Sequence, residues 1–138
     1  MIKNEPYYYD ETECTVEDAT DWIEVKQINI TRDPFNYNFI KLIFDLALKC
    51  PVGEKGEAAI FIDEEEKPRL TIPFDLPFFD VVHKEMDTYN ISWGNHKITL
   101  CLKGKITNTQ IKIGVLRIMT LWEIAGILTP IIAYGELT

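Results

Sequence analysis

The stretch IKLIFDLALK, residues 40–49, decides the fold. Ile40, Leu42, Phe44, Leu46 and Leu48 share one parity; Lys41, Ile43, Asp45, Ala47 and Lys49 share the other. Side chains of a strand alternate between its two faces, whereas a surface helix repeats its apolar residues every three or four positions. The stretch therefore predicts a strand with one face committed to a core. Working outward, the same period of two returns. Before it, Ile23 and Val25 lie on odd positions and Ile28 and Ile30 on even ones, and a β-bulge near Lys26-Gln27 explains the change of phase. After it come Ala58, Ile60 and Ile62, then Leu70, Ile72, Phe74 and Leu76, then Ile98, Leu100 and Leu102. Ile111, Ile113 and Val115 follow, with a second change of phase at Val115-Leu116 before Ile118.

The breaks between these runs carry turn chemistry. TRDPFNYN (31–38) contains Asp-Pro, and CPVGEKGE (50–57) contains Pro51, Gly53 and Gly56. DEEEKP (63–68) reads as the charged tip of a hairpin, and Gly94-Asn95 as a turn suited to positive φ. Pro73 and Pro77 place the run from Leu70 at a sheet edge or near a strand end, because proline lacks the ladder donor. FFDVVHKEMD (78–87) fits a short strand or a helical turn equally well. No stretch sustains a helical stripe over ten residues. The expectation is an all-β protein, an antiparallel β-sandwich of jelly-roll type with seven to eight strands.

At 138 residues the chain is long enough for one domain with a real core. Charge divides it. Residues 1–24 hold eight carboxylates against Lys3 alone, a net of −7 out of the chain's −8. Residues 1–21 are thus expected as an acidic N-terminal arm, 22–122 as the β-sandwich domain, and 123–138 as an apolar C-terminal segment, either a last strand or an interface tail. An acidic arm repels phosphate, so nucleic acid is not an expected partner. No run of about 18 apolar residues predicts a membrane span, and the first residues lack the basic and apolar pattern of a secretory signal. The expectation is a protein made in the cytoplasm, and found in a virion if it serves in assembly.

Chemistry-bearing patterns are scarce. Cys14, Cys50 and Cys101 include no CxxC pair, so they read as reduced thiols, and Cys101 faces away from Leu100 and Leu102. The sequence contains no GxSxG, phosphate loop or dinucleotide fingerprint. Ser92, the only serine, would need His83 or His96 for a dyad, and a thiol nucleophile would need Cys50 or Cys101 beside a histidine. His96 shares parity with Ile98 and Leu100, which places it at the mouth of the core face as a hydrogen-bonded turn histidine. Asp45, Asp75, Asp80 and Asp87 offer carboxylates for glycoside hydrolysis, but no spacing selects a pair. Three successive glutamates at 64–66 suit a solvated tip better than a calcium loop. Asn29 and Asn90 head glycosylation-type triplets in or beside strands. No cofactor, metal or catalytic residue is expected.

Two surfaces remain. Trp22, Trp93, Trp122, Tyr37, Tyr89 and Phe35 would suit a sugar-stacking platform; most are expected in the core, with Phe35 and Tyr37, in their polar loop, the best exposed ligand contacts. The tail IAGILTPIIAYGELT (124–138) needs cover for Ile127, Leu128, Ile131, Ile132 and Tyr134, which are expected at an interface, with Tyr7, Tyr8 and Tyr9 as a second contact.

YNISWGNHKITLCLKG, with TQIKIGVLRIM after it, resembles the closing strands of jelly-roll modules, in which a Gly-x-His segment enters an I-x-L-x-L-K strand. The resemblance covers about residues 39–119. Carbohydrate-binding modules and phage or viral decoration and tail proteins share this architecture, and the resemblance brings no catalytic residue with it. It implies a binding or assembly role more often than an enzymatic one. The expected function is a non-catalytic structural or assembly protein, a virion component that self-associates or docks on a larger assembly. A carbohydrate- or other ligand-binding module is the next reading, and a small acidic protein-binding inhibitor the third.

Overall fold

The computed structural model describes residues 2–10, 12–17, 19–33, 39–104 and 109–121; for 2–7, 9, 39, 40 and 109–121 the description is of the strand backbone alone. Among the described residues nine strands run β1 (Ile2–Asp10), β2 (Cys14–Val16), β3 (Ile23–Arg32), β4 (Phe39–Lys49), β5 (Gly56–Ile62), β6 (Leu70–Phe74), β7 (Asp80–Asp87), β8 (Gly94–Gly104) and β9 (Thr109–Leu121). There is no helix among the described residues. The count exceeds the expected seven or eight because the acidic N-terminal residues supply β1 and β2, where charge hides the strand pattern.

The strands form two antiparallel sheets. One follows the order β1-β9-β4-β7 with β2 also on β9, and the other β3-β8-β5-β6. The pairings nest. β5 and β6 form the central hairpin, β4 lies on β7, β3 on β8, and β1 and β2 on β9. From β2 onward, every connection except the β5–β6 turn passes from one sheet to the other. The chain is thus one long double ribbon rolled up so that successive pairs alternate between layers.

The facing sides of the two sheets share one core. Leu42, Phe44, Leu46 and Leu48 come from β4, Ile60 and Ile62 from β5, and Ile98, Leu100 and Leu102 from β8, all of the parity expected from the sequence. Burying each such side chain stabilises by roughly 1.5–3 kcal/mol. On β4 the opposite parity is hidden too, with Ile43 and Ala47 buried, because β4 lies between β9 and β7.

The bulge in β3 falls between Glu24 and Lys26, beside the expected place, and turns Lys26 inward. There its ammonium meets the Asp10 carboxylate at 2.9 Å and the Thr12 carbonyl at 2.9 Å. This ion pair ties the first strand of one sheet to the edge strand of the other. The irregularity in β9 sits at Lys112, between the partners of Ala47 and Leu48, and not at Val115-Leu116. β6 lies at the edge of its sheet among the described residues, where the missing donor of Pro73 is tolerated. Residues 80–87 resolve as a strand because β4 offers them an eight-position ladder. No helix of the described residues is long and apolar enough to cross a membrane.

Candidate functional site: an aromatic loop held from beneath

Because neighbouring strands are antiparallel, the β5–β6 and β7–β8 connections emerge at the same end of the rolled ribbon, beside the C-terminal end of β3. The β7–β8 connection, residues 88–93, begins as a turn in which Ile91 N–H donates to the Thr88 carbonyl at 2.9 Å. Thr88 and Ile91 are buried, and Ile91 belongs to the core. The residues between and after them point outward: Tyr89 is 83 % exposed and Trp93 52 %. The turn therefore precedes Gly94-Asn95. Gly94, at φ 115°, opens β8 in a conformation that favours glycine, and Asn95 is already paired with Thr31.

Three elements grip this loop. From β3, Arg32 Nη1 donates to the Ile91 carbonyl, and the guanidinium lies 4.4 Å from the centre of the Trp93 ring. From β8, the His96 ring contacts the Ser92 carbonyl through Nε2 at 2.8 Å. From the β5–β6 hairpin, Asp63 Oδ2 contacts His96 Nδ1 at 2.7 Å, and Arg69 donates to Asn90 Oδ1 at 3.0 Å while holding both oxygens of Glu65 at 2.7 Å. Asp63 itself is locked, since its main-chain N–H donates to the Lys97 carbonyl and its Oδ1 accepts from Lys97 N–H. Hydrogen bonds from Lys97 and His96 outweigh burial and hold the Asp63 carboxyl below the usual carboxylate range. A recess of about 520 Å³ beside the loop is lined by Asn29, Thr31, Asp63, Asn95 and His96 among others.

Ser92, His96 and Asp63 stand in the order of a nucleophile, base and orienting acid, with Ser92 Oγ 3.3 Å from His96 Nε2. The geometry argues against that chemistry. A general base must present a lone pair to the hydroxyl, yet the Ser92 carbonyl sits closer to the same nitrogen, and a carbonyl oxygen only accepts. An Nε2–H donating to that carbonyl makes the ring a clamp on the main chain.

The second histidine is a surface feature of β7. His83 bridges Asp45 at 2.7 Å and Glu85 at 2.9 Å, and Lys41 extends the row to Glu85 at 3.2 Å. By register these residues surround buried Ile43 on the outer side of the sheet. Glu85 foremost, then Asp45, pushes the His83 pKa up. The two carboxylates approach opposite ring nitrogens and do not converge on a common point. No cluster of three metal-ligating side chains occurs among the described residues.

The thiols are unpaired. Cys101 points away from the core, as expected, but is buried, and burial pushes its thiol up to about 11. Trp22 is half-buried, edge-on to Phe61 at 6.0 Å, with the Lys103 ammonium 4.4 Å over its ring. At the opposite end of the molecule a larger groove, about 930 Å³, runs past Gly53, Glu54, Glu57, Asp75 and Lys103. The aromatic ring there, Phe74, is buried, packed on Gly56.

Of the contacts expected from sequence, Tyr8 is partly buried against the core and donates to Asp10 at 3.1 Å. Tyr7 and Tyr9 belong to the backbone of β1. Phe35, Tyr37, Trp122, Ile127, Leu128, Ile131, Ile132 and Tyr134 lie outside the described residues. Tyr89 and Trp93, expected mostly in the core, are the exposed aromatics of the end described above. Their shared parity with Ile91 concealed this, because the parity rule lapses once the chain leaves the ladder.

No protein-family model and no curated protein matches the chain. Among solved structures there is a likeness to one described as a novel family GH115 4-O-methyl-alpha-glucuronidase, BtGH115A, with specificity for decorated arabinogalactans. The TM-score is 0.46 and the identity 13 %, over 80 % of this chain and 17 % of that one. The chain thus spans under a fifth of that protein, and a likeness this slight carries no inference about activity.

Proposed function

We propose that the protein is a non-catalytic jelly-roll binding module that takes the apolar face of a carbohydrate on Tyr89 and Trp93. The nested pairing of β1/β2 with β9, β3 with β8, β4 with β7 and β5 with β6 supports the jelly-roll reading, since it is two interlocked Greek keys split between two sheets. The observation that carries the function is the pair of exposed aromatic rings on one connection whose main chain is held by Arg32 and His96 and whose Asn90 side chain is held by Arg69. Rigid rings stack on sugar C–H faces at little entropic cost. The charges around them are already engaged, Arg69 with Glu65, Lys97 with Glu64 and His96 with Asp63, which favours a neutral ligand over an ionic one. Asn90 and Asn95 use their amide oxygens internally, leaving amide N–H donors for hydroxyl groups.

The test is calorimetric titration with neutral hexasaccharides of β-linked glucose and of β-linked galactose. Tyr89→Ala and Trp93→Ala are each expected to weaken binding by at least about tenfold with unchanged melting temperature. Binding that survives both changes, or binding by neither sugar, overturns the carbohydrate reading.

A second reading, a self-associating or virion assembly protein, is favoured by β7. Among the described residues it is an edge strand, with Val81 67 % exposed, and Phe78 just before it is 60 % exposed. Sedimentation at rising concentration separates the two: a concentration-dependent mass supports assembly, and a constant monomer removes it.

A further inference from the structure

We infer that His96 and Arg32 are positioning residues that fix the conformation of the loop bearing Tyr89 and Trp93, with Asp63 as the anchor of His96. The inference rests on the binding reading above for its consequence, but not for its geometry. Between the Thr88–Ile91 turn and the first ladder pair of β8 at Gly94, the main chain has left the sheet, so the carbonyls of Ile91 and Ser92 need partners from elsewhere. They receive two side chains from two different strands, the Arg32 guanidinium from β3 and the His96 imidazole from β8. The guanidinium, a charged donor, holds its carbonyl more tightly than water does, and the imidazole holds the next one at 2.8 Å.

Both grips are themselves fixed. The Arg32 guanidinium lies over the Trp93 ring, and its Nε is buried with no partner among the described residues, so its placement is set by the carbonyl and the ring. His96, its side chain only 11 % exposed, is aligned by Asp63. Asp63 adopts φ 54°, a left-handed conformation uncommon outside glycine and better tolerated by aspartate than by most residues. That strained residue is secured by two links to Lys97, from the main-chain N–H at 2.7 Å and to the side chain at 2.9 Å. The path Lys97, Asp63, His96, Ser92 thus runs from the β8 ladder to the loop carbonyl through consecutive hydrogen bonds. A ring positioned in this way is organised before a ligand arrives.

The experiment measures amide hydrogen exchange of residues 89–95 in the free protein, together with affinity for the two hexasaccharides, in His96→Ala, His96→Gln, Arg32→Ala and Arg32→Lys. His96→Ala and Arg32→Ala are expected to speed exchange across 89–95 by at least about tenfold and to weaken sugar binding by a comparable factor, while amides of Ile60 and Leu100 exchange as before. His96→Gln, which keeps one side-chain donor, is expected to recover part of both effects; Arg32→Lys, which keeps charge without the planar stack, less. Unchanged exchange overturns the inference. Faster exchange with wild-type affinity also overturns it, since the loop would then be held without setting the site. A wild-type protein that binds neither sugar overturns the binding reading, and the exchange data still decide whether these residues hold the loop. A global loss of protection in His96→Ala is resolved by His96→Gln, in which loss confined to 89–95 supports the inference and uniform loss overturns it.

Discussion

At the scale of single residues, charge is placed where neighbouring strands complete it. His83, one of two histidines in the sequence, stands between Asp45 on β4 and Glu85 on its own strand. Both carboxylates favour the charged ring, so its pKa is raised. The sign follows: a raised value in the fold means the charged ring contributes stability that is present below the unfolded value of about 6.5 and lost as pH rises through the folded one. Titration of the His83 ring by nuclear magnetic resonance is expected to show a midpoint above 6.5 by that reference, and Glu85→Gln and Asp45→Asn are each expected to lower it. A midpoint at or below the reference would sink the ladder. Parity alone made some residues legible, since Cys101 does face away from Leu100 and His96 does sit at the mouth of the core face. Parity could not announce Lys26 as an inward residue, because the bulge that turns it inward lies within a residue or two of where the pattern changes phase.

At the scale of elements, the strands with one buried face were readable and the strands whose partners create them were not. β4, β5, β6 and β8 carry the apolar alternation in full. β1 and β7 do not, because acidic or charged side chains occupy faces that a ladder stabilises anyway. Gly56 closes a run of turn-forming residues in the sequence, yet it is the first residue of β5, opposite Phe74. A Cβ there would stand 2.6 Å from the Phe74 ring, well inside contact distance. The ring is buried at the rim of the core and cannot swing freely, so Gly56→Ala is predicted to destabilise by about 1–3 kcal/mol through overpacking. Gly56→Ala combined with Phe74→Leu is expected to recover part of the loss. Chemical denaturation of the single and double variants measures this, and additive losses would show that the ring is not the obstacle.

At the scale of the whole molecule, the nested pairings put the first and last described strands in one outermost pair, whose hold decides how firmly the N-terminal residues join the fold. Here that pair is β1 and β2 on β9, and its link to the other sheet is Asp10 with Lys26. Lys26 is buried and would be left as an uncompensated charge without Asp10, which costs about 3 kcal/mol, at the lower end for buried pairs because the Asp10 carboxylate keeps contact with solvent. The Lys26 ammonium, with further hydrogen bonds from Thr12 and Tyr8, holds the Asp10 carboxyl well below the usual range. A depressed carboxylate contributes stability above its unfolded value of about 3.9 and loses it as pH falls toward the folded one. Wild-type protein is therefore expected to lose stability steeply below about pH 4, and Asp10→Asn to start lower at neutral pH and lose less over the same interval. Deleting residues 1–10 removes the pair and bares the edge of β9 together, so it is expected to cost more than Asp10→Asn and to broaden or abolish cooperative melting. If instead the truncated chain melts like the full one, the acidic segment is an appendage after all, and the roll is closed by contacts within the remaining strands.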